Sequence, residues 1–152
     1  MAAAGVVIAI TVTLMLVFGR GSSGPTVTPL DAPLAPYAAN LAISNLQMSQ
    51  SSNMAGNQLT YIDGHIENKG SRTVAGVAVQ VLFHNFNHQV TENETQQMRL
   101  IRMREPYVDV EPVAAAPIKP GQGADFRLIF DSVAQDWDGD YPQIRIVRVE
   151  TK

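Results

Sequence analysis

The strongest constraint on the fold of this chain is the run Val74–Phe86 (VAGVAVQVLFHNF). Its side chains change character with a period of two. Val77, Val79, Val81 and Phe83 fall on one face, and Ala78, Gln80, Leu82 and His84 on the other. A period of two is the signature of an extended strand, because successive Cβ atoms point to opposite sides of a sheet. β-branched residues on such a ladder pack well on a pleated surface. A helix cannot present this pattern as one apolar stripe.

The same period recurs along the chain from Leu41. Six further segments read as strands: Leu41–Met48, Leu59–Glu67, Gln97–Met103, Tyr107–Val113, Ala124–Phe130 and Ile144–Glu150. The breaks NKGS, NFNH, REP, KPGQG and DWDGDYP carry Gly, Asn, Asp and Pro, which suit turns. Only Ser132–Trp137 offers one turn of helix. Seven short strands in about 110 residues predict an all-β, antiparallel immunoglobulin- or fibronectin-like β-sandwich over residues 41–152. In Leu59–Glu67, Ile62, Gly64 and Ile66 share the inner face, with Gly64 marking a bulge or close backbone approach. Gly70 is expected to need a positive φ in the following turn. His65 and Glu67 fall on the wet side.

The first forty residues differ. Ala2–Phe18 (AAAGVVIAITVTLMLVF) holds no charge, Pro, Asn or Gln. As a helix it is about 25 Å long, the short end of what crosses a bilayer. Residues 1–20 are therefore expected to form one N-terminal transmembrane helix in contact with lipid along 2–18. A cleaved signal peptide is the rival reading. The absence of a basic region before the apolar run and of an A-x-A site after it favours a retained anchor. Gly5 and Ala9 form a small-xxx-small pair suited to helix packing. A strict positive-inside count on Arg20 would put the C-terminal flank in the cytoplasm. One arginine is thin evidence, and a short N-terminal anchor ahead of a β domain is more often N-in and C-out. The domain is therefore expected outside the cytoplasmic membrane, in a periplasmic space. Residues 21–40 read as a Pro-rich linker, with Pro25, Pro29, Pro33 and Pro36 favouring polyproline II. Leu30, Leu34 and Tyr37 are apolar studs that a plain spacer would not need, so they are candidate partner contacts.

Gly64–Gly70 spells G-x-I-x-N-x-G. With the valine ladder, Lys119-Pro120-Gly121 and the F-x-L-x-F run at Phe126–Phe130, this resembles a group of uncharacterised bacterial membrane-anchored proteins with FxLYD-like domains. The literal F-x-L-Y-D string is absent. The resemblance implies an immunoglobulin-like sandwich outside the cytoplasm and carries no catalytic residues.

Chemistry is sparse. The chain has no cysteine, which excludes disulfides, thiolate metal sites and cysteine nucleophiles. A net charge of −3 gives no basic field for nucleic acid. No G-x-S-x-G, H-E-x-x-H, P-loop or G-x-G-x-x-G motif occurs, so the chain reads as a non-enzyme without a cofactor. Asp136, Asp138 and Asp140 alternate as weak calcium candidates, but an EF-hand would need Gly at its sixth position and Glu at its twelfth. The competing reading is an acidic turn with Trp137 capping the core. His84 and His88 are four apart, yet without helical geometry that spacing says little. Arg99, Arg102 and Arg104 are candidate contacts for phosphate or an acidic partner, or simply charges that protect an edge strand. Trp137 joins the partner-contact candidates. The whole reads as a non-catalytic accessory subunit of a larger membrane complex, a bioenergetic one being compatible. The alternative is a stand-alone envelope module that binds a small ligand, metal or glycan.

Overall fold

The computed structural model describes residues 30–52 and 54–152. A turn of 3-10 helix at Ala38–Asn40 precedes eight strands: β1 Leu41–Ser52, β2 Gln58–Asn68, β3 Val74–His84, β4 Val90–Gln97, β5 Arg99–Met103, β6 Asp109–Pro112, β7 Gly123–Asp131 and β8 Gln143–Thr151. They form two antiparallel sheets, one of five strands in the order β1-β2-β7-β5-β6 and one of three in the order β4-β3-β8. The expectation of an all-β, two-sheet domain holds. The expected anchor, with Gly5 and Ala9, lies outside the described residues. Among the described residues no helix is long and apolar enough to cross a membrane.

The core follows the predicted alternation. Val77, Val79, Val81 and Phe83 of β3 meet Ile62 and Ile66 of β2 and Phe126, Leu128 and Phe130 of β7, all essentially sealed from water. Phe83 stands edge-on to Phe130 at 4.9 Å, a favoured aromatic geometry. β3 is buried on both faces, as the middle strand of its sheet. β1 shows how a strand repairs a phase error. Leu41 and Ile43 pack inward, and so do Leu46 and Met48, which breaks strict alternation. A register shift between Ser44 and Gln47, with Asn45 at φ 53°, absorbs the extra residue as a bulge.

Three expectations change. One strand was expected at Gln97–Met103, with nothing between Phe86 and Gln97. Instead β4 fills Val90–Gln97 (VTENETQQ), and the chain crosses to the other sheet at Met98. β4 borders the small sheet and leaves much of itself in water, so it has little apolar pattern to read. Met98 is buried, and its N–H donates to Val77 O at 2.8 Å while Arg99 already pairs with Arg127 of the larger sheet. The second change concerns residues 30–40, expected to be tether. Ala32, Ala35 and Tyr37 are buried, Ala35 N donates to Ile146 O at 2.9 Å, and Arg145 reaches Leu30 O, Ala32 O and Asp31. This stretch is docked along β8. Prolines that forbid a ladder still allow an extended segment to lie on an edge strand. The single helical turn expected at Ser132–Trp137 is an irregular loop.

Candidate functional site

The end of the sandwich where β2 runs into β3 is closed by a polar hub. Asn68 is 0% exposed. Its Nδ2 donates to Arg72 O at 2.7 Å and Ile118 O at 3.0 Å, and its Oδ1 accepts from Gly70 N at 3.1 Å. The Tyr37 hydroxyl lies 3.1 Å from that Oδ1 and accepts from Arg72 N at 3.0 Å, while the Arg72 guanidinium sits 4.8 Å over the Tyr37 ring. A buried amide must find partners for its donors and acceptor. Here they tie the N-terminal segment, the β2–β3 turn and the β6–β7 loop into one seal.

This explains the G-x-I-x-N-x-G string residue by residue. A Cβ on Gly64 would fall 2.6 Å from the Phe126 ring, so the glycine is there for close packing, as expected. Ile66 is core and Asn68 is the hub. Gly70 does not take the expected positive φ. It is needed because a Cβ would lie 2.1 Å from the Tyr37 hydroxyl. Tyr37 is thus spent inside the domain, with 8% exposure, and is not available as the partner contact foreseen for it. Leu30 and Leu34, by contrast, stay open at 54% and 59%.

The outer face of the larger sheet carries a charge network that sequence reasoning missed. Register places Asp63 opposite Arg127 and His65 opposite Asp125. Arg127 grips Asp63 with two bonds of 2.6 and 2.8 Å and lies 4.8 Å over the Tyr61 ring. Arg104 reaches both Asp63 at 3.3 Å and Asp125 at 2.9 Å, and His65 Nδ1 lies 2.8 Å from Asp125 Oδ1. The bond from His65, then that from Arg104, holds the Asp125 carboxyl below its ordinary range. A Cβ on Gly123 would fall 2.4 Å from His65 Nε2, so that glycine makes room for the ring. The signal was present as the alternating Tyr61-Asp63-His65 and Asp125-Arg127, but only strand pairing shows that they meet.

The three predicted arginines form no joint patch. Arg102 pairs with Asp109 across the β5–β6 hairpin, Arg104 joins the network, and Arg99 donates to Val110 O at 3.4 Å. Nor do they guard an edge, since β6 is the outer strand there. Among the described residues no three His, Asp or Glu side chains gather to hold a metal ion. Asp136 accepts from Thr91 Oγ1 and, at 3.5 Å, from Asn85 Nδ2, contacts that lower its pKa, the Thr91 bond foremost. Asp138 Oδ1 accepts from Asp140 N at 2.9 Å, and the Trp137 indole N–H donates to Asp140 O at 3.1 Å. Trp137 stands edge-on to Phe83 at 5.3 Å and caps the core from the end opposite Asn68. His84 ends β3, and His88 sits in the β3–β4 turn at φ 58°.

One concave surface combines apolar character with an open edge. A groove of about 720 Å³ runs between the docked segment and β8, walled by Leu34, Ala38, Leu41, Ile43, Ile144 and Ile146. It lies where the larger sheet ends in β1 and the smaller sheet in β8.

Fold and surface therefore define a two-sheet β module whose N-terminal segment is docked on an edge strand and whose chemistry-bearing residues are mostly engaged with one another. The family model described as a protein of unknown function (DUF2393) matches residues 32–145, and the chain belongs to that family. The match begins within the docked segment, consistent with that segment being part of the domain. Neither the curated proteins nor the solved structures give a match.

Proposed function

We propose that this protein is a non-catalytic interaction module, an accessory subunit that docks on another protein through the groove beside β8. One observation carries this reading: an apolar groove of about 720 Å³ is bordered by Leu34, itself 59% exposed, on a segment otherwise fastened to the domain. A single exposed leucine is ordinary, but one that extends the aliphatic wall of a groove adds to a contiguous apolar patch, and such patches mark contact sites.

The connectivity supports an immunoglobulin-like reading of the sandwich. β1, β2, β7 and β5 take the places of strands A, B, E and D, and β3 and β8 those of C and F. No described strand takes the place of G. The segment around Ala35 lies on that side of β8 instead. Residues 1–20 would be the anchor, with the domain on the outer side of a cytoplasmic membrane and the partner an extramembrane part of the same complex. The apolar run Ala2–Phe18 motivates this placement.

The full chain, tagged at its C-terminus and extracted in mild detergent, should co-purify with defined subunits, and Leu34→Asp should release them without changing the melting temperature. Migration of the wild-type chain as a free monomer would count against the reading. Protease added to intact spheroplasts should digest the domain; protection would reverse the orientation.

A further inference from the structure

The end of the sandwich opposite Asn68 is not sealed in the same way. Inward positions of β1 and β2 are apolar at Met48 and Ile62, and then turn polar at Gln50, Thr60 and Gln58. Those three form a chain: Gln58 Nε2 donates to Gln50 Oε1 at 3.1 Å, and Gln50 Nε2 to Thr60 Oγ1 at 3.4 Å. Opposite them lies the β7–β8 loop, with Ser132, Gln135, Trp137 and Asp138. The cleft between holds about 500 Å³, within the range of small-molecule sites. Amides stand where hydrophobic plugs would close the core at least desolvation cost.

We infer that this cleft is a binding site for a neutral oligosaccharide. Each glutamine amide offers two donors and an acceptor, so the Gln50–Gln58 chain leaves donor and acceptor capacity side by side, as the vicinal hydroxyls of a sugar require. The Trp137 N–H is committed to Asp140 O, so what the indole offers the cleft is its apolar ring, on which the C–H face of a pyranose packs. Of the polar side chains that line the cleft, Asp138 alone is charged, and one of its oxygens already accepts from Asp140 N. That balance favours a polyol over a cation. This inference does not rest on the docking groove, which lies along β8.

Trp137 is the only tryptophan of the chain, so its emission reports on this cleft with no other indole contributing. The full chain, in a detergent without sugar head groups, is titrated with maltotriose, with N-acetylglucosamine trisaccharide, and with tetramethylammonium as the cationic probe. The expected result is a saturable emission change with at least one trisaccharide, weakened roughly fivefold or more in Gln58→Ala and Asp138→Asn. Both variants should melt as the wild type does, and Arg102→Ala should bind normally. No saturable change with either sugar up to about 50 mM, well beyond millimolar affinity, overturns the inference. So does a change that survives both variants, or a response to tetramethylammonium alone.

Discussion

The two ends of this sandwich solve the same problem in opposite ways. Both must close a core that runs between two sheets. At one end, Asn68 and Tyr37 are buried and their polar atoms are bonded in fixed directions to the backbone of the β2–β3 turn and of the β6–β7 loop. At the other, Gln50 and Gln58 stand in open water, Gln58 bonded to Gln50 and Gln50 to the buried Thr60 beneath them, and Trp137 supplies the apolar cap. A buried polar group is an all-or-nothing element, because losing one partner strands the rest. A polar group at an open mouth can turn to water. The first end should therefore carry stability, and the second is suited to recognition. The charges divide similarly. Towards the Asn68 end, Asp125 is paired with His65 and Arg104. Towards the Trp137 end, Glu94 lies near two other carboxylates; burial first, then Glu92 and Asp131, raises its pKa.

The largest expected effect is Asn68→Ala, which removes three side-chain bonds at a sealed position: Arg72 O and Ile118 O keep only the Tyr37 hydroxyl and Val74 N–H, and Gly70 N loses its acceptor. It should cost about 3 kcal/mol or more in denaturant unfolding. Thr60→Val, equally buried but at the open end, should cost less than about 1 kcal/mol; similar costs for the two would break the comparison. Gly70→Ala comes next, at roughly 1–3 kcal/mol from overpacking against Tyr37. In Tyr37→Leu/Gly70→Ala the two costs should fall short of adding, because the clashing hydroxyl is gone. The smallest effects are electrostatic. Asp125 has a lowered pKa when folded, so its contribution is present above the ordinary carboxylate value and is lost as pH falls through the folded one. Its exposed position limits that to under about 1 kcal/mol, and Asp125→Asn should flatten acid unfolding below pH 4 by that amount. Glu94 has the opposite sign: a raised pKa favours the folded state at low pH and weakens it as pH climbs through the folded value. Glu94→Gln should accordingly stabilise the chain slightly at neutral pH, as thermal melts would show.

Strands whose inner face is continuous were legible in the sequence. The valine ladder, Ile62-Gly64-Ile66 and Phe126-Leu128-Phe130 declare their pleat without help from neighbours, and so the two-sheet class followed. β4 was not legible, because VTENETQQ earns its place by pairing with β3 and not by burying apolar residues. The bulge at Asn45 was hidden for a related reason: two correct half-patterns look like one imperfect pattern. Among the apolar studs named as candidate contacts, Leu30 and Leu34 stay exposed while Tyr37 is buried, and nothing local separates them, because the fate of Tyr37 depends on Asn68, thirty-one residues away. The Asp63–Arg127 pair spans sixty-four positions and exists only through the β2–β7 register.

Met98, finally, bears on how far this domain can be altered. One residue joins β4 to β5, its N–H belongs to the small sheet, and its successor belongs to the large one. The link has no slack, so it works as a rivet that fixes how far one layer can slide over the other. A glycine inserted after Met98 should shift Arg99 and Leu100 against β7 and turn Leu100 outward. The same insertion at the β1–β2 turn, beside Gly56, which sits at φ +83° with nothing within 4 Å, should pass almost unnoticed. Lineages of this domain are thus expected to vary in length at the turns of the Trp137 end and to keep the Met98 crossing invariant in length.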